Sequence, residues 1–226
     1  DRARGCFFGQ LCGDSLGSLV EFLDPNEIRK KYPNGVNYLE DGGTWDTLAG
    51  QPTDDSELAL ALTRSIIEMR TYDAESVASA YAEWYMSGPF DMGSTTARAF
   101  RAASLAKTDK AKAAQKAANL NSQANGALMR ISPLGIFGTK LAEKTVADFA
   151  RLDASLSHPH PTCQEASAIF VLAIRYAILT GASPQEVYLY VLSSTSNPIL
   201  RSWLGEAAER LPDNVPSQMG WVRIAF

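Results

Sequence analysis

Between Cys163 and Thr180 the apolar residues fall where a helix, and no strand, can use them. Ala166, Ile169, Phe170, Ala173, Ile174, Ala177 and Ile178 recur at three- and four-residue intervals and form one stripe. Gly181 follows where a left-handed C-terminal cap belongs. Ser183-Pro184-Gln185-Glu186 then opens another helix, with a capping box and proline in the first turn. No pair of segments alternates with the period of two that paired strands need. The chain therefore reads as all-α, a single compact multi-helix bundle.

The remaining segments fit that class. The spacing predicts a helix over 3–22, with Gly5, Gly9, Gly13 and Gly17 on nearly one face. Each glycine costs a helix about 1 kcal/mol relative to alanine, so close approach of a neighbouring backbone is expected there. Residues 24–52, rich in Pro and Gly, read as a long loop, the kind that often carries function. Thr53 starts a helix in which Leu58, Leu62 and Ile66 recur at four-residue spacing, with Ile67 and Met69 alongside. Further helices are expected near 74–86, 94–105, 109–119, 123–131, 143–156, 197–211 and 217–226. At 226 residues, one domain over 1–226 accommodates all of them.

Composition narrows the function classes. The net charge is -4, and Lys107, Lys110, Lys112 and Lys116 alternate with alanine as on a solvated helix face. Nucleic acid is not an expected partner. The apolar run near the N-terminus is short and broken by glycines, so neither a signal peptide nor a membrane span is expected. Three widely spaced cysteines, Cys6, Cys12 and Cys163, form no disulfide framework and no zinc pattern. Core positions for Cys6 and Cys12 and a reducing, cytoplasmic location follow as expectations.

Four segments carry the chemistry. Thr53-Asp54-Asp55-Ser56-Glu57 has a capping residue and first-turn acids that suit a helix dipole. The same groups are all-oxygen donors, which suit a hard cation such as magnesium rather than zinc. Asn125-Gly126-Ala127-Leu128-Met129-Arg130 reads as a turn into a helix, or as a glycine that lets a ligand phosphate approach a helix start. In Ser157-His158-Pro159-His160-Pro161, each histidine precedes a proline and is pushed toward extended backbone. His160 reads as a satisfied loop histidine. Asp14 and Glu21 lie two helical turns apart and would share a face, either with a structural partner or in a catalytic or gating role.

In this order, these segments resemble the ADP-ribosylglycohydrolase family. Arg4-Gly5-Cys6 to Gly17 is similar to its opening helix, Thr53-Asp54-Asp55 to its first metal motif, and Asn125 to Arg130 with Pro133-Leu134-Gly135 to its ligand motif. Ser157-His158-Pro159 with Cys163 is similar to its later loop-and-helix motif. The resemblance implies hydrolysis of an ADP-ribosyl N- or O-glycosidic linkage, dependent on magnesium. Thr53, Asp54 and Asp55 would be metal ligands, with Asp55 and Glu21 catalytic. Asn125, Gly126, Ala127, Met129 and His158 would bind the ligand. ADP-ribose or an ADP-ribosylated protein would be the partner. The family's second acidic motif, of the Gly-Asp-x-Asp-Thr type, has no counterpart after Gly181. The expectation is therefore two magnesium ions in complete members but one or none here, with the chain ending just before that motif. The alternative is a catalytically impaired ADP-ribose-binding or regulatory module.

Overall fold

A computed structural model describes residues 1–209, and these contain eleven α-helices and no strand. Helix α3 (Asp54–Met69) buries Leu58, Leu62 and Ile66, the four-residue stripe read from the sequence. Ile67 and Met69 point outward. Helix α4 (Ala74–Met86) starts where the Asp73 carboxylate accepts the Ser76 N–H at 2.8 Å, and it adds Val77, Tyr81 and Trp84 to the same core. Helices α5 (Ser94–Leu105), α7 (Ser132–Phe137) and α8 (Glu143–Ser155) complete it with Phe100, Leu134 and Val146. Complete burial of one such side chain is worth about 1.5–3 kcal/mol.

Helix α9 (Pro161–Thr180) is the longest described helix, and it packs against α7, α8 and α10 (Pro184–Ser194). It is apolar and long enough to cross a membrane by length and composition, but much of its surface is buried in the core. Its buried side chains include Ala168, Val171 and Leu172 as well as Ala166 and Ile169, whereas Phe170 is half-exposed. The caps at Gly181 (φ 70°) and Ser183 form as the sequence indicates. Helix α11 (Pro198–Glu209) contributes Leu200 to a second cluster with Leu128, Ile169 and Val191. The helix expected at 217–226 lies outside the described residues.

Five expectations change. Helix α1 (Arg2–Gly17) stops short of residue 22, so Asp14 and Glu21 share no helix face. Its four glycines are exposed, and beyond the helix's own backbone nothing lies within 4 Å of where their Cβ atoms would stand. Close approach occurs instead at Gly126, Gly135 and Gly138. Cys12 is exposed and Cys6 partly so, rather than both being core. The 24–52 segment contains helix α2 (Pro25–Lys31), held by a capping box between Asp24 and Glu27. Finally, 123–131 is no α-helix: a single 3-10 turn at Asn125–Ala127 precedes further turns into α7. Helix α6 (Lys110–Ala117), by contrast, forms as expected and keeps Lys112 and Lys116 exposed.

Candidate active site

The site is built at the start of α3. Thr53 occupies the N-cap position, but its side chain does not cap the helix. The carboxylate of Asp14, from α1, does so across the chain. It accepts from the Thr53 N–H at 3.1 and 3.2 Å, from the Ser56 N–H at 3.1 Å and from the Thr53 hydroxyl at 2.7 Å. An anion there satisfies orphan donors and meets the positive end of the helix dipole. Because the Thr53 hydroxyl gives its proton to Asp14, its oxygen lone pairs remain free to accept or to ligate.

Asp54 and Asp55 follow in the first turn, and among the described residues neither has a cation beside it. Burial, then the charge of Asp55, raises the Asp54 carboxyl to about 7, with Glu21 and Asp14 adding to the shift. Burial, then Asp14, Glu21 and Asp91, raises Asp55 to about 7 as well. Asp91 reaches about 7 through burial, Asp54 and Glu21. Like charges crowded into one partly dry place favour the protonated form. The donor set is entirely oxygen and carries surplus negative charge, which fits a hard divalent ion. Among the described residues, though, no three acidic, histidine or cysteine side chains converge as a ready-made cation cage. The residues present would supply part of a coordination shell.

Glu21 sits beyond the end of α1 in a turn that leads to Phe22, whose φ of 64° lies in the left-handed region. The Trp45 indole N–H donates to the Glu21 carboxylate at 2.7 Å, and the Thr44 hydroxyl donates to its backbone carbonyl. Phe22, Trp45 and Phe90 form a chain of ring contacts with centroids 6.0 Å apart at each step. The Gly- and Pro-rich segment therefore folds back to hold Glu21 at the edge of the acidic cluster.

Two bridges join the acids to the Asn125–Met129 turn. The Gln10 amide on α1 donates to the Met129 carbonyl at 2.9 Å and to the Asp55 carbonyl at 3.4 Å, and its oxygen accepts from the Ser132 hydroxyl. The start of α5 makes the second: the Gly93 backbone lies near enough to Asp54 to counter part of the rise in its carboxyl, and Thr96, three residues on, lies against Gly126. A Cβ at 126 would stand 2.7 Å from His158 Cε1 and 2.8 Å from Thr96 Oγ1, so glycine is required there by crowding. Asn125 is exposed at this turn, whereas Gly126 and Ala127 are buried.

Arg130 anchors the turn from below. Fully buried, it donates to Asp153 Oδ1 at 3.0 Å, to the Asp153 carbonyl at 3.0 Å, to the Gly126 carbonyl at 2.9 Å and to Ser157 Oγ at 2.8 Å. Tyr81 donates to the other Asp153 oxygen at 3.0 Å. The guanidinium also lies over the Tyr81 and Phe100 rings, 4.7 and 5.2 Å from their centroids. Burial and then the Arg130 charge lower His158 to about 3, so its ring is neutral. His160 caps α9 by accepting the Thr162 N–H at 3.2 Å, in keeping with a satisfied loop residue. Burial pushes the Cys163 thiol up to about 11, which leaves no thiolate nucleophile there at neutral pH.

The structure thus gathers Thr53, Asp54, Asp55 and Glu21 on one side and Asn125, Gly126, Ala127, Met129 and His158 on the other, with Gln10 and the start of α5 between them. Sequence reasoning missed Asp91, Thr96, Gln10 and Asp153. No local pattern marks any of them; each gains its place only through contacts distant in sequence.

Comparison with known proteins identifies the family and the fold. The family model for ADP-ribosylglycohydrolase matches residues 1–226. The ADP-ribosyl-[dinitrogen reductase] glycohydrolase of Rhodospirillum rubrum is 35% identical over 162 residues, covering 71% of this chain and 52% of that protein. Human ADP-ribosylhydrolase ARH3 is 30% identical over 197 residues, covering 83% of this chain and 53% of the human protein. Among solved structures, a chain of an ADP-ribosylglycohydrolase-related protein complex superposes with a TM-score of 0.76 at 26% identity, over 99% of this chain and 71% of that one. The chain spans about half the length of these curated relatives. With the family model matched along its whole length and the helical fold shared, the chain belongs to the ADP-ribosylglycohydrolase family.

Proposed function

We propose that this chain acts in magnesium-dependent hydrolysis of an ADP-ribosyl N- or O-glycosidic bond, releasing ADP-ribose from a modified side chain or small molecule. One observation carries the reading: the carboxylates of Asp14, Glu21, Asp54, Asp55 and Asp91 crowd together, raising Asp54, Asp55 and Asp91, with no cation among the described residues to balance them, next to a glycine turn built for close approach. Thr53, Asp54 and Asp55 would hold the metal, which when bound offsets negative charge and orients ribose hydroxyls. The turn at Asn125, Gly126, Ala127 and Met129, with His158, receives the ADP-ribose.

The chemistry follows from the carboxyls. A carboxylate oxygen not taken up by the metal can accept a proton from water and return it. Asp55 takes the proton of the attacking water as its oxygen bonds to the anomeric carbon. The glycosidic bond breaks through an oxocarbenium-like transition state, and the leaving nitrogen or oxygen receives the proton that Asp55 took from the water. Glu21, fixed by Trp45, adds negative charge at the edge of the site where that cation develops.

The test is release of ADP-ribose from ADP-ribosyl-arginine by the full chain, with and without magnesium. Turnover that needs magnesium and falls at least about 100-fold in Asp55→Asn is the expected result. Binding of ADP-ribose without turnover would support instead a binding or regulatory module, a reading favoured by the incomplete cation cage among the described residues. Neither binding nor turnover would overturn both.

A further inference from the structure

Arg130 and Ser157 do more than fill the core beneath the Asn125–Met129 turn. The Ser157 hydroxyl is fully buried and has two neighbours within hydrogen-bond reach, Arg130 NH1 at 2.8 Å and His158 Nδ1 at 2.9 Å. A guanidinium can only donate, so Ser157 Oγ accepts from Arg130. The hydroxyl proton then has one acceptor within reach, His158 Nδ1. If Nδ1 carried the ring proton, two donors would point at Oγ and the buried hydroxyl proton would be left without an acceptor. The direction of the relay is thus set at its charged end: Arg130 to Ser157, and Ser157 to His158.

Its consequence lies at the other edge of the imidazole. With Nδ1 bare, the neutral ring carries its proton on Nε2. His158 is 1% exposed, and among the described residues no protein group pairs with Nε2. That nitrogen stands 3.2 Å from the point where a side chain at position 126 would begin, over the glycine that brings the turn under the ring. An N–H without a protein partner on an otherwise buried ring, beside a turn whose neighbour Asn125 is exposed, can donate to an acceptor that enters along that turn.

We infer that Arg130 is a positioning residue which, through Ser157, fixes His158 as its Nε2–H form so that this N–H donates to an acceptor oxygen of the bound ligand. The ligand half of the inference rests on the ADP-ribose reading above; the tautomer half does not. Arg130 also grips the Gly126 carbonyl, so the same side chain sets both the height of the turn and the polarity of the ring above it. Asp153, bonded to Arg130 and to Tyr81, keeps the guanidinium in register.

The chain has only two histidines, so nitrogen NMR of histidine-labelled protein reads the tautomer directly. His160→Gln assigns the signals. In the free wild type, His158 is expected with Nε2 protonated and Nδ1 bare from about pH 5 to 8. Ser157→Ala is expected to mix the tautomers while circular dichroism stays unchanged, and Ser157→Thr to restore the wild-type form. On titration with ADP-ribose, the Nε2 signal should move and Nδ1 stay. Affinity should fall about tenfold in Ser157→Ala and return in Ser157→Thr. A proton on Nδ1 in the wild type, or an unaltered tautomer in Ser157→Ala, overturns the relay. A correct tautomer with ADP-ribose bound but the Nε2 signal unmoved overturns the ligand half alone, and no binding of ADP-ribose at all overturns the ADP-ribose reading with it.

Discussion

At the scale of single residues, the site depends on atoms that leave no room for alternatives. Gly126 is needed because His158 and Thr96 occupy the space a side chain would take. Its backbone is not in the left-handed region, so substitution acts through crowding alone. Overpacking of this kind costs about 1–3 kcal/mol. Gly126→Ala should therefore lower the unfolding free energy by that amount, read as a lower urea midpoint, and weaken ADP-ribose binding, since either the turn or the ring must move. Unchanged stability together with unchanged affinity would mean that the contact is looser than it stands here. The buried Arg130–Asp153 pair is a different case. Two charges withdrawn from water offset their desolvation only with full hydrogen bonding, and here every guanidinium nitrogen and both carboxylate oxygens have a partner.

At the scale of elements, helix starts carry the function. Helix α3 is capped by a residue 39 positions away, the Asp14 carboxylate. Asp14→Ala removes three acceptor contacts at once and should cost about 1–2 kcal/mol, read as a lower denaturant midpoint with the slope unchanged. A loss below a few tenths would show that solvent replaces the cap. Helices with strong local signals were legible. The stripe of α9 and the capping box of α10 form where the sequence places them. Helix α2 has no buried residue and persists on its capping box; Asp24, Pro25 and Glu27 spell that box, yet the prolines and glycines around it read as loop. The misread at 123–131 has a specific cause. Ala-Leu-Met favours helix, but the Gly126 carbonyl, which a continuing helix would pair with the residue-130 amide, instead accepts from the Arg130 side chain. In the same way, α1 ends before Glu21 because that residue is held by Thr44 and Trp45, contacts more than twenty residues away that no local pattern encodes.

At the scale of the molecule, the chain gathers acids from α1, the turn after it, α3 and the Gly88–Gly93 segment, and no base among the described residues matches them. The acids of α3 were legible as adjacent carboxylates at a helix start. Asp91 was not, because a single acid in a loop becomes significant only once folding sets it near Asp54. The arrangement makes stability depend on pH with a definite sign. Each of the three carboxyls titrates near 7 in the folded chain and near 3.8 when unconstrained, so the folded state holds protons that the unfolded state has lost. Their contribution is favourable at low pH and is lost as pH rises toward about 7. His158 acts in the opposite sense: its folded value near 3 against 6.5 unfolded makes stability fall as pH drops through that window. Three carboxyls outweigh one imidazole, and a divalent ion that neutralises them should remove the penalty at high pH.

The most direct measurement is the melting temperature of the full chain at pH 5 and pH 8, with and without magnesium, for the wild type and Asp55→Asn. The wild type should gain about 3–6 °C from magnesium at pH 8 and almost nothing at pH 5, where the carboxyls are protonated, and Asp55→Asn should lose most of that gain. A magnesium effect equal at both pH values, or one that survives in Asp55→Asn, would contradict the claim that these carboxylates form the cation site.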